Sequence, residues 1–94
     1  MVVVARGRPS ALVSRFEQHL SAGCAVMAMQ MAAVALGFGG IWRSGWPLFD
    51  RGLHTALDLA AEDQIVGFLY LGTPSRAPSG PLPALDVKDC TRWL

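Results

Sequence analysis

The 94-residue sequence predicts a mixed helix-and-strand domain, and two segments carry that prediction. In QIVGFLYLGTP, residues Ile65, Gly67, Leu69 and Leu71 alternate with Val66, Phe68 and Tyr70, so both sides are apolar. A strand of this kind is an interior one, covered by helices on each side, and its GTP end terminates it. The second segment runs from Leu20 to Trp42 without a charged side chain. Its helical part spans Ser21 to Leu36 and stops before Gly37, Gly39 and Gly40.

The remaining elements follow in chain order. VVVA, Val2 to Ala5, is a short β-branched run that predicts the end of a strand. RGRPSALVSRFEQHL is a polar connection grading into helix. Ser10 and Ser14 are candidate N-caps, and Glu17 stands in capping-box spacing to Ser14. Along the apolar helix, Leu20, Cys24, Met27, Met31, Val34 and Phe38 form a bulky stripe. Ser21, Ala25, Ala28, Ala32 and Ala35 form a small one. A helix apolar on nearly every side is expected to be buried on nearly every side, and its small residues admit a close backbone. A membrane span is disfavoured. Ser21 to Leu36 gives about 24 Å of helix against a hydrocarbon core of about 30 Å, and Gln30 lies in the middle. GGIW reads as a short strand. A helix from about Leu48 to Leu59 should turn Phe49, Leu53, Ala56 and Leu57 inward and Asp50, Arg51, His54 and Asp58 outward, which makes His54 a solvated residue. After Thr73, Pro74, Pro78, Pro81 and Pro83 predict an extended tail whose TRWL end needs a surface to sit on.

Composition narrows the partners. The chain is 52% apolar with a mean hydropathy of +0.36. A chain this short buries only roughly 60–65% of its unfolded surface, so that much apolar content argues for a partner surface. The net charge of +1 and the absence of a basic stripe exclude the footprint of a nucleic-acid binder. Cys24 and Cys90 are far apart and form neither a metal motif nor a disulfide framework. Cys24 reads as a small buried hydrophobe. MVVVARGRPS is too short and too quickly charged for a signal peptide, so the cytoplasm is the expected compartment.

GFGGIWRSG, Gly37 to Gly45, places a lone arginine among glycines directly after the most apolar segment. Glycine lets another molecule approach the backbone. Free N–H groups beside a guanidinium suit an anion such as phosphate. A tight helix-to-strand connection with a solvated arginine is the other reading of these residues.

SRFEQHLSAGCAVMAMQMAAVALGFGGIWRSG, followed by QIVGFLYLGTP, resembles the C-terminal half of the short-chain bacterial NAD(P)H nitroreductases of the FMN-dependent nitroreductase superfamily. The resemblance runs from about Val2 to Pro74. It implies an α+β fold with a central sheet flanked by helices, residues 1–74 forming the C-terminal half of such a domain and 75–94 an extended tail. It implies a homodimer built on long helices, with FMN at the interface and the tail crossing to the partner. Hydride would pass from NAD(P)H to flavin and on to a nitroaromatic or quinone-like acceptor. By position, Trp42, Arg43 and Ser44 would contact FMN. Ala32, Ala33, Val34, Ala35, Leu36 and Gly37 would lie against NAD(P), although no side chain there can hydrogen-bond a nucleotide. Leu36 departs from the polar residue of the family pattern. The resemblance assigns no catalytic side chain and no metal. The family's N-terminal half, with its Arg-x-Ser-x-Arg phosphate motif, has no counterpart here, and RGRPS at Arg6 to Ser10 imitates it poorly. The expectation is a start codon placed too late or a truncated gene. The competing function is a non-catalytic remnant, a dimerisation module pairing with an intact nitroreductase.

Overall fold

The computed structural model describes residues 1–76, 80 and 84–93. Five regular elements, β1 (Val2–Ala5), α1 (Arg15–Ala35), β2 (Gly39–Arg43), α2 (Arg51–Ala56) and β3 (Gln64–Gly72), are joined by short turns. The sheet has the order β1-β3-β2, with both pairs antiparallel. The strand that the sequence marks as interior is the central one.

Helix α1 starts earlier than Ser21 because Ser14 caps it. The Ser14 hydroxyl accepts the Glu17 amide at 3.2 Å, and the Glu17 carboxylate accepts the Ser14 amide at 2.7 Å. Each residue satisfies a donor that the first helical turn would leave free. These bonds, the Ser14 amide first and its hydroxyl second, hold the Glu17 carboxyl below the usual carboxylate range. Ser10 makes a local turn instead, its hydroxyl accepting the Leu12 and Val13 amides. The helix ends in a Schellman motif. The Phe38 amide reaches the Ala33 carbonyl at 2.9 Å and the Gly37 amide reaches that of Val34 at 3.0 Å. Gly37 has φ +84°, which a residue with a Cβ rarely adopts, and so fixes where the helix stops.

One face of α1 packs on the sheet, and it is neither of the two stripes read from the sequence. The buried helical residues are Val26 and Ala33. The bulky stripe points away, with Leu20, Met27, Met31 and Val34 all at least half exposed. The alanines of the small stripe are exposed as well. Cys24 is on the bulky stripe and therefore also exposed, not a buried hydrophobe. The expectation of near-complete burial fails because, among the described residues, the sheet is what packs on α1, and it covers one face.

The sheet shows the same incompleteness. Ile65 and Leu69 are buried beneath α1, but Ile41 and Tyr70, a cross-strand pair on the opposite face, are exposed. The Gln64 end of that face is covered by a 3₁₀ turn at Trp46–Phe49 that packs on β3 and leads into α2. The continuous helix expected from Leu48 to Leu59 is thus two pieces. Pro47 opens the 3₁₀ turn, and Asp50 then recaps the chain, its carboxylate accepting the Gly52 and Leu53 amides. That break rotates the inner face. Leu48 and His54 are buried, while Phe49 and Leu57 face solvent.

The Cα radius of gyration is 16.7 Å, against about 12–13 Å for a compact body of this length. In the tail, a 3₁₀ turn at Val87–Asp89 interrupts the expected extended path, and Trp93 is 97% exposed. Pro78, Pro81, Pro83 and Leu94 lie outside the described residues.

Candidate functional site

Strand β2 runs one residue further than GGIW, through Arg43, so most of the glycine-rich stretch is paired backbone. Gly39, Gly40, Ile41, Trp42 and Arg43 stand opposite Gly72, Leu71, Tyr70, Leu69 and Phe68. As the edge strand, β2 spends alternate amides on β3, and Ser44 and Gly45 are the irregular part of the stretch.

Alternation along β2 splits the three residues expected to touch a flavin. The Trp42 ring lies on the α1 side, over Gly67 of β3 and against Gly23 of α1. Its Nε1 donates to the Val66 carbonyl at 3.3 Å. Gly67 has to be glycine, because a Cβ there would collide with the indole nitrogen. The indole is therefore a structural wedge between sheet and helix. Arg43 points to the other side, beside Phe68, and both Arg43 and Ser44 are exposed. The planar donor fork of Arg43 suits an anion there.

Ala32 to Gly37 occupy the last turn of α1 and its cap. Ala32, Ala33 and Leu36 line an apolar cleft of about 500 Å³ with Met1, Met29 and Phe38, and Thr73 at its rim. Trp42 lines a different cleft of about 420 Å³, with His19, Cys24 and Met27. Strand β2 is roughly 13 Å long at ~3.3 Å per residue, with the end of α1 leading into its Gly39 end and Trp42, Arg43 and Ser44 at the other. Among the described residues, the cleft lined by Ala32, Ala33 and Leu36 and the one lined by Trp42 are separate.

Comparison with known proteins matches this architecture. The sequence model of the nitroreductase family matches residues 1–73. The chain belongs to the nitroreductase family. It is 58% identical over 94 residues to the protein named "Putative NAD(P)H nitroreductase YdjA" of Escherichia coli (strain K12), covering 100% of this chain and 50% of that protein. A similarly named protein of Haemophilus influenzae is 34% identical over 93 residues, covering 98% of this chain and 50% of its own length. The chain thus spans about half the length of the curated relatives it matches. The crystal structure of a nitroreductase-like family protein from Bacillus cereus superimposes with a TM-score of 0.82 at 22% identity, covering 99% of this chain and 49% of that one. That likeness establishes the α+β fold. Among the described residues, no helix is long and apolar enough to cross a membrane.

The group that sequence reasoning missed lies in α2. His54, expected in solvent, is 2% exposed. Its Nε2 donates to the Leu48 carbonyl at 2.8 Å, and its Nδ1 accepts from Arg51 at 2.8 Å. Gln64 of β3 donates to the same Leu48 carbonyl at 2.6 Å. Pro47 ahead of Asp50 was the available signal, since a proline followed by a capping residue marks a helix start inside the predicted helix.

Proposed function

We propose that this chain provides the C-terminal half of an FMN-dependent NAD(P)H oxidoreductase of the nitroreductase type. Residues 1–74 form that half-domain, residues 75–94 a tail that reaches a second copy in a homodimer. The observation that carries this reading is the family match over residues 1–73, which ends beyond the exposed Arg43–Gly45 segment.

The donor set there fits a phosphate-bearing cofactor. Arg43 supplies a planar cation at the end of a rigid strand, and Ser44 a hydroxyl beside it. FMN held there would supply the hydride chemistry between NAD(P)H and a nitroaromatic or quinone-like acceptor. Arg43 and Ser44 hold the cofactor's anionic end, and Trp42 contributes by locking β2 against α1. The apolar cleft at Ala32, Ala33 and Leu36 excludes water from whatever lies against it, which suits the flat, weakly polar part of NAD(P) or of the acceptor.

The exposed stripes of α1 and the Ile41–Tyr70 face of the sheet favour a second reading. In it the chain is a dimerisation module for an intact nitroreductase and carries no flavin of its own. FMN titration into the protein and into Arg43→Ala separates the two. A charge-assisted hydrogen bond is worth about 1.5–3 kcal/mol, so Arg43→Ala should weaken FMN binding roughly 10- to 150-fold. Equal affinity for both proteins removes Arg43 from the site, and no binding by either favours the module.

A further inference from the structure

We propose that Gly45 is a positioning residue, whose backbone conformation presents the Ser44 hydroxyl to an anion beside Arg43. Gly45 has φ +130° and ψ −164°, a region essentially confined to glycine. Space is not what excludes a side chain there. Among the described residues beyond its chain neighbours, a Cβ would meet Pro47 Cδ at 3.7 Å, an ordinary contact. The dihedral angles alone make the position glycine's. For a residue of the opposite hand the same angles are ordinary extended backbone.

The chain is held on both sides of this residue. Upstream, β2 is paired with β3 as far as Arg43, which stands opposite Phe68. Downstream, Pro47 has a fixed φ, and the buried Leu48 anchors the 3₁₀ turn. The Leu48 carbonyl takes His54 of α2 at 2.8 Å and Gln64 of β3 at 2.6 Å. The Leu48 amide donates back to the Gly45 carbonyl at 3.1 Å. Between these anchors lie Ser44, Gly45 and Trp46, and Ser44 and Trp46 are exposed. An L side chain at 45 forces the backbone out of its region, and the displacement falls on these three residues. Ser44 then leaves its place beside Arg43, and the Gly45 carbonyl turns away from Leu48.

The anion is the cofactor's, so this inference rests on the proposed function for its ligand, whereas the path through Ser44 rests on the bonds above. The test compares the intact wild type with Gly45→Ala and Gly45→D-Ala, all three prepared by chemical ligation at Gly23–Cys24, which leaves the native sequence. FMN is titrated into each while folded, and hydrogen exchange is followed at the Leu48 amide. Gly45→Ala should bind FMN roughly tenfold more weakly and lose Leu48 protection. Gly45→D-Ala should match the wild type in both. Should Gly45→Ala fail to fold, a folded Gly45→D-Ala with wild-type affinity still supports the assignment. FMN affinity unchanged in a folded Gly45→Ala would make the glycine merely structural and overturn the proposal. So would a D-Ala variant that loses as much as the L-Ala one. If the wild type itself binds no FMN, the cofactor reading fails. Leu48 protection then decides alone, and its loss in Gly45→Ala with retention in Gly45→D-Ala keeps the fixed path through Ser44.

Discussion

Gly67→Ala tests whether the Trp42 wedge holds sheet and helix together. A methyl group at Gly67 collides with the indole nitrogen, so the ring has to move. Trp42 is 37% exposed, and most of its side chain is covered by α1 and β3. A covered area of about 150 Å² at about 25 cal/mol per Å² is worth about 4 kcal/mol, an upper bound if the ring is expelled. Loss of its bond to Val66 adds about 1 kcal/mol. Partial relaxation brings the expected cost to about 2–4 kcal/mol, which in a domain of this size lowers Tm by at least about 8 °C. Urea denaturation followed by tryptophan fluorescence measures it, with Trp42→Ala as the second arm of a cycle. Removing the indole opens the space above Gly67. In that background Gly67→Ala should be neutral, or stabilising by about 0.4–1 kcal/mol through a stiffer unfolded chain. The pair should therefore couple by at least about 2 kcal/mol. Additive costs would show that the ring does not rest on Gly67, and the account of Trp42 as a wedge would fall.

Four further outcomes follow from the same geometry. Ser14→Ala should cost about 0.5–2 kcal/mol by removing the α1 cap. Because the folded-state pKa of Glu17 lies below its unfolded value, its contribution is present above the ordinary carboxylate range and lost as pH falls through the lowered value, so acid melts of wild type and Glu17→Gln should converge. Asp63→Ala leaves the Gly7 and Ala60 amides without their acceptor, both at 3.1 Å, and should cost about 2–4 kcal/mol in urea melts. If α1 is the contact of the proposed homodimer, Ala28→Leu, on the exposed small stripe, should weaken subunit association by about 1–3 kcal/mol in sedimentation. Unchanged dimerisation would mean that the stripe is not the contact.

What the sequence by itself determines is local. β-branched runs, the Ser14–Glu17 box and the glycine at Gly37 specify where β1, α1 and β2 begin or end, because each acts through bonds spanning a few residues. The apolar alternation of Ile65 to Leu71 likewise marks β3 as central, and the GFGGIWRSG and VGFLYLGTP motifs are specific enough to carry the family resemblance. Tertiary structure decides which faces are used. Two apolar stripes on α1 are equally good candidates for a core by pattern, yet a third face, with Val26 and Ala33, meets the sheet, where β2 presents Gly40 against Gln30 of the helix. The burial of His54 depends on the break between Pro47 and Asp50, which shifts the helical phase and turns a position that periodicity puts outside towards β3. The separation of Trp42 from Arg43 has the same origin. Neighbours in sequence become opposite faces once the segment is paired as a strand, and the indole goes to packing while the guanidinium is left for an anion.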